Sequence, residues 1–214
     1  MVKTRPTAVS LPNGVRFVMR HVMEAKSKAQ NVDDIKSLVR DLSMQFIEDS
    51  KRAVEKIGET GAKRIEDGET ILTHCNSEAA ISVITTAWEK GMSIKAFVTE
   101  SRPRFQGRKT TRILSKKGIP TSLIVDGAVR FFMNKIDKVI VGSDAIAANG
   151  AVVNKIGTST IALVAKEART PFYVAAETYK FSPETVLGEL IKIEERGAKE
   201  VVPAAMLKGL SSVT

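Results

Sequence analysis

Apolar residues recur at helical spacing through the first sixty positions and in short, dense runs after them. Val15, Val18, Met19, Val22 and Met23 follow a Pro12-Asn13-Gly14 break with helical period. A longer stretch carries Val32, Ile35, Leu38, Val39, Leu42, Phe46, Ile47, Val54 and Ile57 at the same period, with charged residues on its other face. Asn31 is suited to cap this helix, and Gly58 and Gly61 to end it. An amphipathic helix of this kind needs a partner surface.

From Asp67-Gly68 onward, apolar runs of a few residues alternate with helical patterns. Strands are predicted at 71–73, 94–98, 121–125, 138–141 and 172–174. Helices are predicted at 78–90, 109–117, 127–133, 159–168 and 183–196. Strands alternating with helices predict an α/β fold, with a Rossmann-like parallel sheet flanked by helices. Residues 1–66 form a helical segment in this reading, and residues 67–214 the α/β domain. Ligands of such sheets bind beyond the carboxyl ends of the strands. The lone Trp88, spaced with Ile81 and Ile84, reads as core, and Asn149-Gly150 as a hairpin turn.

The loops at those strand ends are polar. His74-Cys75-Asn76-Ser77 follows the first strand and Glu100-Ser101-Arg102-Pro103 the second, where Glu100 and Arg102 read as an ion pair. Asp126 follows the third. Gly142-Ser143-Asp144 follows the fourth, then Asn154-Lys155-Ile156-Gly157-Thr158. Glu177-Thr178-Tyr179-Lys180-Phe181 follows the fifth. Together they supply a thiol, carboxylates, cations and amide or hydroxyl donors, a mixture suited to acid/base chemistry on a phosphorylated substrate. Cys75 falls where strand turns to helix, and a helix start favours a thiolate and the oxyanions of a phosphate. From position alone, a buried small residue is the simpler reading.

Composition narrows the classes. The chain has 214 residues, 43% hydrophobic and 27% charged, enough for a real core. One cysteine excludes an internal disulfide framework. No apolar run spans a bilayer and no secretory signal is visible, so the expectation is a cytoplasmic protein without a membrane partner. The net charge is +9, yet the basic residues are mostly mixed with acids. The densest run, from Arg102 to Lys117, reads first as a solvated helix face and second as an anion site, with nucleic acid least favoured. There is no glycine-rich nucleotide loop and no metal-ligand spacing.

Taken in order, several segments resemble one family. They are Arg5-Pro6-Thr7 with Leu11-Pro12-Asn13, Thr73-His74-Cys75-Asn76-Ser77, Thr99-Glu100-Ser101-Arg102-Pro103 with Gln106-Gly107, Gly142-Ser143-Asp144 with Ala148-Asn149-Gly150, Asn154-Lys155-Ile156-Gly157-Thr158, and Ala176-Glu177-Thr178-Tyr179-Lys180-Phe181. The family joins ribose-1,5-bisphosphate isomerase, methylthioribose-1-phosphate isomerase and the alpha, beta and delta regulatory subunits of translation initiation factor 2B. The archaeal-type ribose-1,5-bisphosphate isomerase is the most similar branch. Its catalytic cysteine and aspartate fall on Cys75 and Asp144, a pair the regulatory subunits commonly lack. Its substrate contacts fall on Arg5, Ser77, Asn154, Lys155 and Lys180, with backbone N–H groups of Glu78 and Ala79.

The resemblance implies an aldose–ketose isomerase acting on a sugar phosphate, with Asp144 as acid and Cys75 as base. No metal and no cofactor are expected, since two histidines and one cysteine lack metal-ligand spacing; the resemblance adds AMP as a possible activator and a homo-oligomer built from dimers, hexameric in archaeal isomerases. The methylthioribose version fits less well, because its cysteine segment reads T-x-C-N-x-G and here Ser77-Glu78 follows Asn76. The alternative is a non-catalytic regulatory subunit bound to a translation initiation factor 2 subunit. The family's amino-terminal Arg-Gly-Ala loop is missing, and the chain stops at Thr214 where a further strand is expected. The resemblance therefore implies a chain shortened at both ends.

Overall fold

The structure is a computed structural model that describes residues 9–26, 31–193, 195 and 197–202. Two helices come first, α1 (Ser10–Lys26) and α2 (Val32–Ala62). The α/β part then runs β1 (Thr70–Thr73), α3 (Glu78–Glu89), β2 (Lys95–Thr99), α4 (Gln106–Lys116), β3 (Thr121–Ile124), α5 (Val129–Phe132) and β4 (Lys138–Val141). A small hairpin of β5 (Ala145–Ile146) and β6 (Val152–Val153) follows, then α6 (Thr158–Ala168) and β7 (Phe172–Val174).

The Pro12-Asn13-Gly14 break does not occur, because α1 runs straight through it. Pro12 sits in the first turn, where its missing N–H has no intrahelical partner to lose. Gly14 marks the helix crossing instead: a Cβ there would stand 2.9 Å from the Phe46 ring, so its absence lets α1 lie close on α2. Asn31 does cap α2. Its side-chain oxygen accepts from Asp34 N at 2.9 Å, and the Asp34 carboxylate accepts from Asn31 N at 3.2 Å.

Gly58 and Gly61 lie inside α2 rather than after it. They are where α2 presses on α3: a Cβ on Gly58 would come within 2.7 Å of Thr86 Oγ1, and one on Gly61 within 2.8 Å of Val83 Cγ1. Val83 is stiff at χ1, so it cannot swing away cheaply. Gly61→Ala is expected to cost about 1–2 kcal/mol, an overpacking penalty reduced by alanine's better helix propensity. Urea unfolding measures it, and an unchanged midpoint would show that the crossing has slack.

Five strands form one parallel sheet in the order β3-β2-β1-β4-β7. Side chains alternate across it, as a strand's two-residue period requires. Ile71 and Ile140 point into a core shared with Ala80, Ile84 and Leu114. Leu72, Val139 and Val141 point into the opposite core, with Met133, Ile161 and Ala165. Helices therefore cover both faces, and Trp88 packs against the first core as its spacing predicts.

Two predicted helices differ. Residues 126–135 hold only the four-residue α5 between two 3-10 turns. The helix expected at 183–196 stops after a 3-10 turn, Pro183–Leu187, where Gly188 takes φ +86°. Leu187 and Leu190 stand 85% and 90% exposed, so no surface among the described residues buries an apolar face there. Without burial a helix this short does not hold. No helix among the described residues is long and apolar enough to cross a membrane.

Candidate functional site

The strand order creates one switch point. The chain leaves β1 toward β2 and β3, then returns across to β4 and β7 on the other side. Between the carboxyl ends of β1 and β4 the following loops diverge and leave a crevice. Leu72 pairs with Val139, so the Cys75 and Gly142-Ser143-Asp144 loops leave the sheet side by side. They touch: a Cβ on Gly142 would stand 2.5 Å from Ser77 Cβ.

Cys75 does not sit on the helix itself. Ser77 is the N-cap of α3, its side chain accepting from Ala80 N at 3.3 Å. Cys75 lies two residues earlier, in a turn at φ +69°. That conformation costs a non-glycine residue on the order of 1 kcal/mol, so the surroundings must impose it. They do so from three directions. Cys75 N donates to Ser101 Oγ at 2.8 Å, and its carbonyl accepts from Thr110 Oγ1 at 2.7 Å. Its thiol donates to Gln106 Oε1 at 3.4 Å. Glu78 and Ala79 form the first turn of α3, where backbone N–H groups have no intrahelical acceptor.

Ser101 is itself held. Its N–H and that of Arg102 donate to the two carboxylate oxygens of Asp126, at 2.8 and 2.7 Å. The expected Glu100–Arg102 ion pair does not form. Glu100 pairs with Arg108 at 3.3 Å, while the Arg102 guanidinium donates to the Val201 carbonyl at 2.9 Å. Ser101 takes φ +60°, a turn that sends its two neighbours apart. Arg108, Lys109, Arg112 and Lys116 on α4 are exposed, so this basic run is a solvated face.

His74 lies beneath the site, 1% exposed. Its Nε2–H donates to the Ile156 carbonyl at 2.8 Å, which leaves Nδ1 to accept from Thr99 Oγ1 at 2.5 Å. Gly157, at φ +98°, passes so close that a Cβ would stand 3.1 Å from His74 Cε1. The imidazole thus joins the Cys75 turn to the loop bearing Asn154 and Lys155. Burial lowers its pKa first, and the nearby Lys155 ammonium acts in the same sense; the Ile156 carbonyl and Asp126 oppose them.

A pH dependence follows. His74 stays neutral in the fold below the pH at which an unfolded histidine, near 6.5, takes its proton. The stability it contributes is complete above about 6.5 and declines as pH falls toward the lowered folded value. Urea unfolding from pH 8 to 5 should show a loss that His74→Gln flattens. An equal slope in the variant would remove His74 from the account.

Asp144 is half-buried at the base of the hairpin, its N–H donating to the Val153 carbonyl at 2.9 Å. Asn154 donates to Thr158 Oγ1 at 3.0 Å, at the start of α6. Lys180 closes the 3-10 turn Thr178–Lys180 after β7. The next residue, Phe181, bridges to Ile146 of β5, and Ser182 N donates to the Ile146 carbonyl at 2.8 Å. The loops carrying Cys75, Ser77, Glu78, Ala79, Asp144, Asn154, Lys155 and Lys180 therefore gather at one end of the sheet. Arg5 lies outside the described residues. A cavity of about 420 Å³ opens beside them, lined by Phe46, Ser50, Lys51, Glu78, Glu177 and Tyr179. Among the described residues, no cluster of three or more His, Cys, Asp or Glu is disposed to hold a metal ion.

Sequence reasoning did not assign the supporting network of His74, Thr99, Ser101, Gln106, Thr110 and Asp126. One signal was present: Thr99 and Ser101, two residues apart at a strand end, face the same way.

Relatives agree with this architecture. The chain is 52% identical over 208 residues to the ribose 1,5-bisphosphate isomerase of Thermococcus kodakarensis, covering 97% of this chain and 65% of that one. It is 56% identical over 201 residues to the enzyme of the same name from Methanocaldococcus jannaschii, covering 94% and 63%. The chain thus spans slightly less than two thirds of these relatives' lengths. A crystal structure of the Pyrococcus horikoshii translation initiation factor eIF-2B superposes with TM-score 0.76 at 35% identity, over 85% of this chain and 62% of that one. The family model described as the initiation factor 2 subunit family matches residues 1–210, nearly the whole chain, and with these likenesses it makes the chain a member of that family.

Proposed function

We propose that the chain carries the site of a sugar-phosphate isomerase, converting ribose 1,5-bisphosphate to ribulose 1,5-bisphosphate. The observation that carries this reading is that Cys75 and Asp144 stand on adjacent loops across the switch point, after β1 and β4. The likeness to proteins named for that reaction supports the substrate.

In this reaction the bond from C1 to the ring oxygen breaks, and Asp144 gives its proton to that oxygen. One hydrogen moves from C2 to C1. The C2 hydroxyl loses its proton to Cys75 and becomes a carbonyl. C1 is reduced as C2 is oxidised, so no outside redox partner is needed. Lys155 and Lys180 hold phosphate oxygens, joined by Arg5, and the α3 amides of Glu78 and Ala79 take others. Ser77 and Asn154 orient the sugar. In this reading AMP is an activator and the protein a homo-oligomer. Both are tested by adding AMP to the assay and by light scattering.

A second reading, a regulatory subunit without catalysis that binds a translation initiation factor 2 subunit, is favoured by the likeness to eIF-2B. Incubating the protein with ribose 1,5-bisphosphate separates the two. Formation of ribulose 1,5-bisphosphate supports the enzyme; its absence, with binding of the translation factor subunit, supports the alternative.

A further inference from the structure

Asn13 lies on α1, 166 residues away from Tyr179 in sequence, yet its side-chain amide reaches the turn that carries Lys180. Nδ2 donates to the Tyr179 carbonyl at 2.7 Å and to the Phe181 carbonyl at 2.8 Å. Both hydrogens of one NH2 are thereby used on the two carbonyls that flank Lys180. The amide cannot be turned over, because its oxygen accepts from Arg16 at 2.6 Å. Arg16 in turn pairs with Glu184, just beyond the same turn. The Phe46 ring of α2 packs on Tyr179, with centroids 5.4 Å apart, and Phe17 of α1 packs on Phe46 at 5.6 Å.

Such turns are usually fixed by their own backbone hydrogen bonds. Here Lys180 N donates to the Glu177 carbonyl and Phe181 N to the Thr178 carbonyl. Those bonds settle the turn's shape, and the bridge from Phe181 to Ile146, with Ser182 N on the Ile146 carbonyl, holds one side of it against the β5–β6 hairpin. Asn13 ties its other side to α1, through the carbonyls on either side of Lys180.

We infer that Asn13 is a positioning residue: it clamps the Lys180 turn to α1 and so sets where the phosphate-binding ammonium stands. The binding half of this inference rests on the isomerase reading above. The helical segment then belongs to the working site.

The test compares Asn13→Ala with Asn13→Asp in the full chain. Aspartate keeps the oxygen that Arg16 uses and lacks both donors. Hydrogen exchange at 178–182 is expected to quicken about tenfold in both variants. KM for ribose 1,5-bisphosphate should rise about tenfold while kcat changes less than twofold. In a Lys180→Ala background, Asn13→Ala should add little further. Wild-type exchange in Asn13→Asp would overturn the clamp, since Arg16 would then be the partner that matters. Faster exchange with an unchanged KM would overturn its role in binding. If the unsubstituted protein neither binds nor converts the bisphosphate, the isomerase reading and the binding role fall together, and exchange alone still decides the clamp.

Discussion

Cys75→Ser is expected to lower turnover of ribose 1,5-bisphosphate by about 10²–10⁴-fold, the span usual for losing a general acid or base. Serine is close in size, and the contacts that hold the turn go largely to the Cys75 backbone, through Ser101 and Thr110. The fold and the phosphate contacts should therefore survive, leaving KM within a few-fold. The loss is chemical: a hydroxyl does not ionise near neutral pH as a thiol can. Asp144→Asn should cost a similar factor, because an amide has no acidic proton to give. Combining the two should cost much less than the product of the single losses, since the proposed reaction uses both in one step. A coupled assay for ribulose 1,5-bisphosphate measures all three. Full activity in either single variant would remove that residue from the chemistry.

Gly107→Ala should strike the fold instead. A Cβ there would overlap the Thr99 carbonyl oxygen and stand 2.8 Å from its carbon. The obstacle is backbone at the end of β2, so no side chain can step aside. Alanine's better helix propensity returns about 1 kcal/mol, far less than an unrelieved overlap with main chain. The net expectation is a loss of about 3 kcal/mol or more, read from the urea midpoint. Gly127→Ala is the control, since a Cβ there meets nothing within 4 Å, and it should be near neutral. Equal behaviour of the two would mean that α4 can slide along β2 at little cost. The same displacement would carry off Gln106 and Thr110, which hold Cys75, so activity should fall with stability.

The sheet was legible because its strands are dense apolar runs set between turn residues. Those at 138–141 and 172–174 match to the residue. Glycine was the main source of error. Gly14, Gly58 and Gly61 read as punctuation along the chain, but each is small because of Phe46, Ser82 or Val83 across a helix crossing. A local pattern carries no information about what lies opposite. The Glu100–Arg102 pairing failed for a related reason, since adjacency in sequence says little when Ser101 turns the backbone between them. The loops that bear Cys75 and Asp144 could be placed at strand ends from periodicity alone. That they leave neighbouring strands follows from the β1–β4 crossover, which no local signal encodes. His74 joining two loops, and Asn13 reaching Tyr179, depend on contacts more distant still.

The central place of β1 also favours one order of assembly. Residues 70–126 hold β1, β2 and β3 as consecutive neighbours, and with them Cys75, Ser101 and Asp126. That half needs only short loop closures, so it can organise early. The Asp144 half must find the free side of β1 across the long stretch between Ile71 and Lys138, and α1 must wait longer still for the Lys180 turn. A ribosome releasing this chain would thus free the residues of the Cys75 turn well before the Asp144 loop that lies across the switch point from it.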